Sequence, residues 1–357
     1  MMRRGSMKLL LGCLLVGALT GCLPVPPDES VDSLGIDGPG TFVLCEGVWR
    51  QDNATLCYIG DNDTRVGDVV SAANADLRLG DTGSDLLVRG DTMWVVVSTS
   101  RSIEMFHRRS GTWLGRLRFD DLREPYKVAF VNDSVAVCTF LNDASIAEFN
   151  ARRLTVRVAR VDVGPAPEGI AVSGGRIYVA NSGLGDLRKN EKGAGTVTVL
   201  DASDLSSIDT IADLPNVQSI VADPAATLIW ITYRSYPSLP DVPGGIVAYD
   251  PTQRRFVHHH RFRSMKGACI DPRSGTVYVM HGEGISAIRS SVVSTVMKRP
   301  EFETWYGFGF DRRASRLLIG NARTYVTNGE LIIADTTGRV IRRYDVGINP
   351  SVIAAAD

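Results

Sequence analysis

The chain has 357 residues, 44% of them hydrophobic and 22% charged, with a formal net charge of −1 and a sequence pI near 6.5. A disordered polymer would carry fewer apolar residues or a larger charge imbalance, and six cysteines are too few for a disulfide-stapled miniprotein. The near-neutral balance argues against a nucleic-acid partner, which needs a basic surface.

In chain order, Arg3, Arg4 and Lys8 precede the apolar run Leu9 to Leu19. That run is too short for an ordinary membrane-spanning helix and a proline-rich segment follows it, so residues 1–21 read as a secretory signal. The run ends in Leu19-Thr20-Gly21-Cys22, which resembles the lipobox of bacterial lipoproteins. The resemblance implies cleavage before Cys22, acylation of that cysteine (palmitate among the acyl chains), and a membrane anchor held by more than one chain. Loss of the three basic residues takes the formal charge to −4. Residues 22–40 read as a flexible tether. Leu23 in place of Asp favours the outer membrane under the family's sorting rule, facing the periplasm or the cell surface. Asp28 and Glu29 resemble the acidic export signal of surface lipoproteins.

Residues 41–357 are dominated by one repeat: an apolar strand, a tight polar turn, a second apolar strand, a loop, then two more strands. The clearest copy is Glu168–Asn181 followed by Thr196–Asp201 and Ile208–Ile211. First strands align at Asp85, Lys127, Gly169, Ser219, Gly267, Gly307 and Ser351, with spacings of 42, 42, 50, 48, 40 and 44 residues. Four strands at that period, rich in β-branched residues and alternating at period two, are the mark of a β-propeller blade. Length alone suggests two or three domains, but the repeats replace them with one ring. The expected fold is therefore all-β: a seven-bladed propeller of four-stranded antiparallel blades. The last copy stops after Pro350–Asp357, while Thr41–Glu46 and Ala54–Ile59 read as second and third strands. One blade should thus combine both chain ends and close the ring. No helical periodicity is evident after the signal.

The pattern of seven short blades with a Tyr-Val-Ala-Asn second strand resembles the YncE-like propellers. The opening Cys45-Glu46-Gly47-Val48-Trp49 with Asn53-Ala54-Thr55-Leu56, and Leu79-Gly80-Asp81 after it, looks like the start of propeller lipoproteins widespread in Bacteroidota, with Cys45 where those have Asn. Some members of that group capture cobalamin at the surface and pass it to a TonB-dependent outer-membrane transporter. The resemblance thus implies a bound corrinoid ligand and a transporter partner, with no cofactor required. Individual corrinoid contacts do not map onto this chain.

Two rings of residues are expected on the loop face. Just before the aligned positions stand Ser84, Tyr126, Glu168, Gln218, Lys266, Tyr306 and Pro350. The ends of the second strands give Glu46, Val97, Thr139, Asn181, Tyr233, His281 and Asn321. Long loops after the second ring add Arg188, Arg234, Tyr236 and Tyr325, with Trp49 on the equivalent loop and Trp305 just before the seventh blade. Varied aromatic and basic groups on a rigid scaffold are suited to ligand binding. Three readings follow: a non-catalytic, monomeric ligand- or partner-binding propeller; a lactonase-like hydrolase using Glu46, Glu168, Asn181 and His281; or a scaffold in an envelope complex.

The remaining motifs point to structure. His258 and His260 would share one face of an outer strand, two nitrogens being too few for a metal centre. Gly307-Phe308-Gly309 precedes no helix and is no dinucleotide fingerprint. No catalytic constellation or metal set beyond these is evident. Cys45 and Cys57 lie on neighbouring strands where a disulfide can form, whereas Cys138 and Cys269 read as buried thiols.

Overall fold

The computed structural model describes residues 34–119, 121–212, 214–222 and 227–356. The signal segment and Cys22 lie outside them. The described residues form seven four-stranded antiparallel sheets, each paired in the order inner, second, third and outer strand. Each inner strand packs on the inner strand of the next blade, right round to the first, so the sheets stand as a ring.

Blade one joins the chain ends. Its inner strand Pro350–Ala356 pairs with Gly40–Cys45, with Gly40 opposite Ala356, and Thr55–Gly60 follows. The inner strands of blades two to seven are Gly83–Arg89, Pro125–Phe130, Pro167–Ser173, Val217–Ala222, Gly267–Ile270 and Trp305–Asp311. All match the aligned repeat. The second strands, such as Arg176–Asn181 and Val277–His281, are buried along nearly their whole length. They are sandwiched between neighbouring blades on both faces, and so read as continuous apolar runs. The outer strand Thr155–Asp162 of blade three is almost wholly exposed.

The core accordingly lies between blades. Trp94, Val96, Phe140 and Phe149 join blades two and three; Tyr178, Val199, Val217 and Tyr249 join blades four and five. At about 25 cal/mol per Å² of apolar surface, these seams supply most of the driving force.

Three local features depart from the sequence reading. The outer strand of blade one is only Arg65–Val66. After it comes a five-residue helix, Val69–Ala73, where no helix was expected. Asp68 caps it, its carboxylate accepting from the Val70 amide at 3.2 Å and from the Leu56 amide at 3.2 Å, while Val69 and Val70 are buried. A single capped turn is too short to leave a periodic signature. Ile36 is fully buried in one cluster with Phe42 and Leu44, so the end of the expected tether is packed structure.

Candidate functional site

Six inner strands carry a register break near the same repeat position. The shifts fall between Gly83 and Asp85, Pro125 and Val128, Pro167 and Ile170, Val217 and Ile220, and Trp305 and Phe308, and in blade one at the pairing of Cys45 with Pro350. A bulge re-aims side chains and leaves backbone groups unpaired. Second-strand hydroxyls take up that slack: Thr139 Oγ1 accepts from the Lys127 amide at 3.1 Å, and Thr232 Oγ1 from the Ser219 amide at 3.0 Å. The residues at these breaks line one central cavity of about 800 Å³. That volume is ordinary for a small-molecule site.

Around the cavity, Ser84, Tyr126, Glu168, Gln218, Lys266 and Tyr306 all contribute to the wall, as the first ring predicts; in blade one the contributor is Ser351 instead of Pro350. Of the second ring only Glu46 reaches it. The others end their strands as expected, but about one strand spacing (~4.8 Å) farther out, inside the blades. The buried Asn181 amide donates to Thr196 and Thr198 Oγ1, at 3.0 and 2.9 Å. His281 Nε2 bonds to Ser286 at 3.0 Å, with its ring stacked 4.8 Å from Phe262. Tyr233 bonds through its hydroxyl to His259, and Asn321 Oδ1 accepts from the Thr304 amide at 2.9 Å. Trp305 is buried, its indole N–H donating to Glu303. The four-residue hydrolase constellation therefore separates: Glu46 and Glu168 face the cavity, whereas Asn181 and His281 are held by blade neighbours. Among the described residues there is no cluster of three or more His, Cys, Asp or Glu placed to hold a metal ion.

The loops divide similarly. Arg234 lines the cavity with Ser235 and Leu184. Arg188 is spent on bracing, donating to Glu191 and to the Asp143 carbonyl at 2.8 Å. The hydroxyl of Tyr236 accepts from the Asn216 amide at 3.3 Å, and Lys189 sits over its ring. Tyr325 packs edge-on against Tyr306 at 5.8 Å and stays 44% exposed; Trp49 is 62% exposed, with Arg50 over its ring.

The cavity wall is charged and nearly balanced. Lys127 bridges two blades, donating to the Ser84 carbonyl at 2.6 Å and pairing with Asp85 at 3.3 Å. The Tyr306 hydroxyl donates to Glu46, whose position is fixed by its amide donating to Asn349 O at 2.9 Å and by the turn at Gly47. Gly47 has φ +80°, and a Cβ there would meet Asn53 Oδ1 at 2.4 Å, so only glycine fits. Burial pushes the Glu46 carboxyl above its usual pKa, against the Tyr306 hydrogen bond and the charge of Lys127. Glu168 is likewise raised by burial, against Arg234, Ser182 and Gln218. Lys266 is lowered by burial, then by the like charges of Arg234 and Arg299.

Asp85 and Lys127 were not among the expected site residues. Their signal was nevertheless in the alignment, because both are aligned repeat positions one residue beyond the ring that was read.

The cysteines also have defined places. Cys45 and Cys57 are thiols with sulfurs 3.9 Å apart, and Cys57 donates to the Gly67 carbonyl at 3.0 Å. Burial raises Cys45, whereas the contact with Cys45 lowers Cys57. Cys138 is buried, Cys269 is half-buried, and burial raises both thiols. The outer-strand pair His258 and His260 stack at 6.3 Å, with His258 also 6.1 Å from Trp230.

No protein-family model and no curated protein matches this sequence. Solved structures do. A quinonprotein alcohol dehydrogenase-like protein from Bacteroides thetaiotaomicron is 11% identical, with TM-score 0.68 over 90% of this chain and 78% of its own. A protein from Bacteroides uniformis named as a candidate 6-phosphogluconolactonase is 11% identical, with TM-score 0.64 over 90% of this chain and 100% of its own. Hydrazine synthase from Kuenenia stuttgartiensis is 15% identical, with TM-score 0.62 over 74% of this chain and 86% of its own. At these identities the likeness shows the fold alone: the chain is a seven-bladed β-propeller.

Proposed function

We propose that the protein is a non-catalytic binding propeller that receives a small polar ligand in its central cavity. The observation carrying this reading is that bulged inner strands deliver unlike polar side chains to one cavity of about 800 Å³. A purely structural ring would repeat one residue type. A rigid closed scaffold also lowers the ordering cost of binding. Native mass spectrometry of the protein after incubation with a cell metabolite extract tests it. A retained small molecule, lost when Tyr306 and Gln218 are both replaced by alanine in a folded variant, supports the reading; no retained mass from any extract overturns it.

The narrower version rests on the lipobox at Cys22 and the likeness to YncE-like lipoproteins: an outer-membrane lipoprotein presenting a corrinoid to a TonB-dependent transporter. A ligand larger than the cavity would extend past Tyr306 of its wall to the exposed Tyr325 packed against it. Calorimetric titration with cyanocobalamin should show tight binding, and absence of binding removes this version. Labelling with an alkyne palmitate analogue, abolished by Cys22→Ser, tests the anchor.

One observation favours a second reading, lactone hydrolysis: Glu46 and Glu168, two carboxyls raised by burial, face the cavity, and the Bacteroides uniformis protein shares the fold. Hydrolysis of δ-gluconolactone above background, lost in Glu168→Gln, would establish it.

A further inference from the structure

The charged groups of the cavity wall are not evenly spread. Among the described lining residues there are three carboxylates (Glu46, Asp85, Glu168) and three cations (Lys127, Arg234, Lys266). Asp85 and Lys127 neutralise each other across blades two and three. Glu46 is engaged by Tyr306 across blades one and seven. That leaves an arc on blades five and six where Arg234 and Lys266 stand side by side. Neither makes an ion pair within 4 Å, although the charge of Arg234 is the leading influence that favours the ionised form of Glu168.

Two like charges placed together in a partly dehydrated wall are unfavourable unless something answers them. Burial disfavours the Lys266 ammonium, and the like charges of Arg234 and Arg299 add to it. Nε of Arg234 is moreover buried without a hydrogen-bond partner, an uncommon state for a guanidinium. Ser235 and Ser264 stand on the same stretch of wall and offer hydroxyl donors. Two cations without a direct ion-pair contact, neighbouring hydroxyls and an orphaned N–H together make a complementary wall for oxyanions.

Resting on the cavity-binding reading above, we infer that the ligand carries an oxyanion, a carboxylate or phosphate group, anchored by Arg234 and Lys266. The rest of the wall, with Tyr126 of blade three, Tyr306 of blade seven and Glu46 of blade one, then meets the remainder of the molecule through aromatic faces and a carboxyl group. This assigns the ligand an orientation: acidic end toward blades five and six, uncharged or hydroxylated body across the cavity toward blades one to three.

The test uses the full chain in detergent and chloride-poor buffer, titrated by calorimetry with inorganic phosphate and, separately, with succinate. Saturable binding of at least one anion is expected. Arg234→Gln and Lys266→Met should each weaken it at least tenfold and the double variant abolish it, while Arg339→Gln, on an exposed outer turn, leaves it unchanged. Phosphate binding without succinate binding identifies a phosphate ligand, and the reverse identifies a carboxylate. A second measurement needs no variant to bind: the ¹³C-methylated Lys266 resonance, assigned by its loss in Lys266→Met, should titrate at higher pH when the anion is present. No saturable binding of either anion, unchanged binding in the double variant, or a Lys266 titration indifferent to both anions overturns the inference. If the double variant still retains a molecule from the metabolite extract, the oxyanion anchor falls and the cavity reading stands. If the wild type retains nothing, the cavity reading itself falls.

Discussion

Gly267 and Gly307 occupy the same position in two repeats, yet the structure gives them opposite tolerances. An ideal Cβ on Gly307 would lie 2.4 Å from the Pro350 carbonyl oxygen and 2.8 Å from that of Ser351. Both atoms are backbone of the strand that closes the ring, so relief requires moving that strand by about 1 Å. Overpacking of this kind costs about 1–3 kcal/mol. A Cβ on Gly267 would meet nothing within 4 Å, and its φ lies outside the left-handed region. There alanine should be neutral or stabilise by up to about 1 kcal/mol through the unfolded chain. With a midpoint shift of roughly 2–4 °C per kcal/mol for a domain approaching this size, Gly307→Ala should melt about 2–12 °C below wild type. Gly267→Ala should melt within about 2 °C of wild type or above it. Differential scanning calorimetry of the three proteins decides the matter. Equal midpoints for the two variants would refute the idea that close approach between inner strands, rather than repeat position, decides where glycine is required.

Three further outcomes are expected. Folded Glu168 has a carboxyl raised above its unfolded value, so the wild type loses stability as pH rises through that folded pKa; the melting advantage of Glu168→Gln should therefore grow from pH 4 to pH 7, and an advantage that shrinks with pH counts against the assigned burial. In blade two, buried Glu104 accepts from Ser102, Trp113 and Arg116, so Glu104→Ala strands three donors and should cost about 3–5 kcal/mol, whereas Arg116→Ala, at a half-exposed site, should cost less; equal urea midpoints contradict this. Deleting residues 350–357 removes the inner strand of blade one with its ladder and buried Ile353. At about 1 kcal/mol per hydrogen bond plus the apolar burial, that loss is comparable to the whole stability of a domain, so the product should lack a cooperative melt.

The fold was legible because blades repeat. Seven aligned first strands located every sheet, and the truncated last copy beside Thr41–Glu46 located the closure. The site was legible only where the repeat itself carried it. Tyr126, Glu168 and Tyr306 were found because they precede the aligned position, but the bulges that turn them inward follow from register, which a single sequence does not display. Asn181 and His281 were read at the right places on their strands; their destination depended on Thr196, Thr198 and Ser286 across the ladder, partners that spacing along the chain does not reveal. The helix at Val69–Ala73 was invisible for a plainer reason, since five residues held by one Asp cap have no period to detect.

The joining of the two chain ends also orders events in time. Gly40–Cys45 leaves the ribosome some three hundred residues before Pro350–Ala356, the strand it pairs with. Throughout that interval the inner edge of Gly40–Cys45 has no native partner, and the six other blades can assemble only as an open arc. An unpaired, apolar strand edge is the kind of surface on which nascent chains pair wrongly with one another. The last strand to be made is therefore the one that ends this exposure, so the interval between first and last strand, more than any single contact, sets how long the chain needs protection before it is a ring.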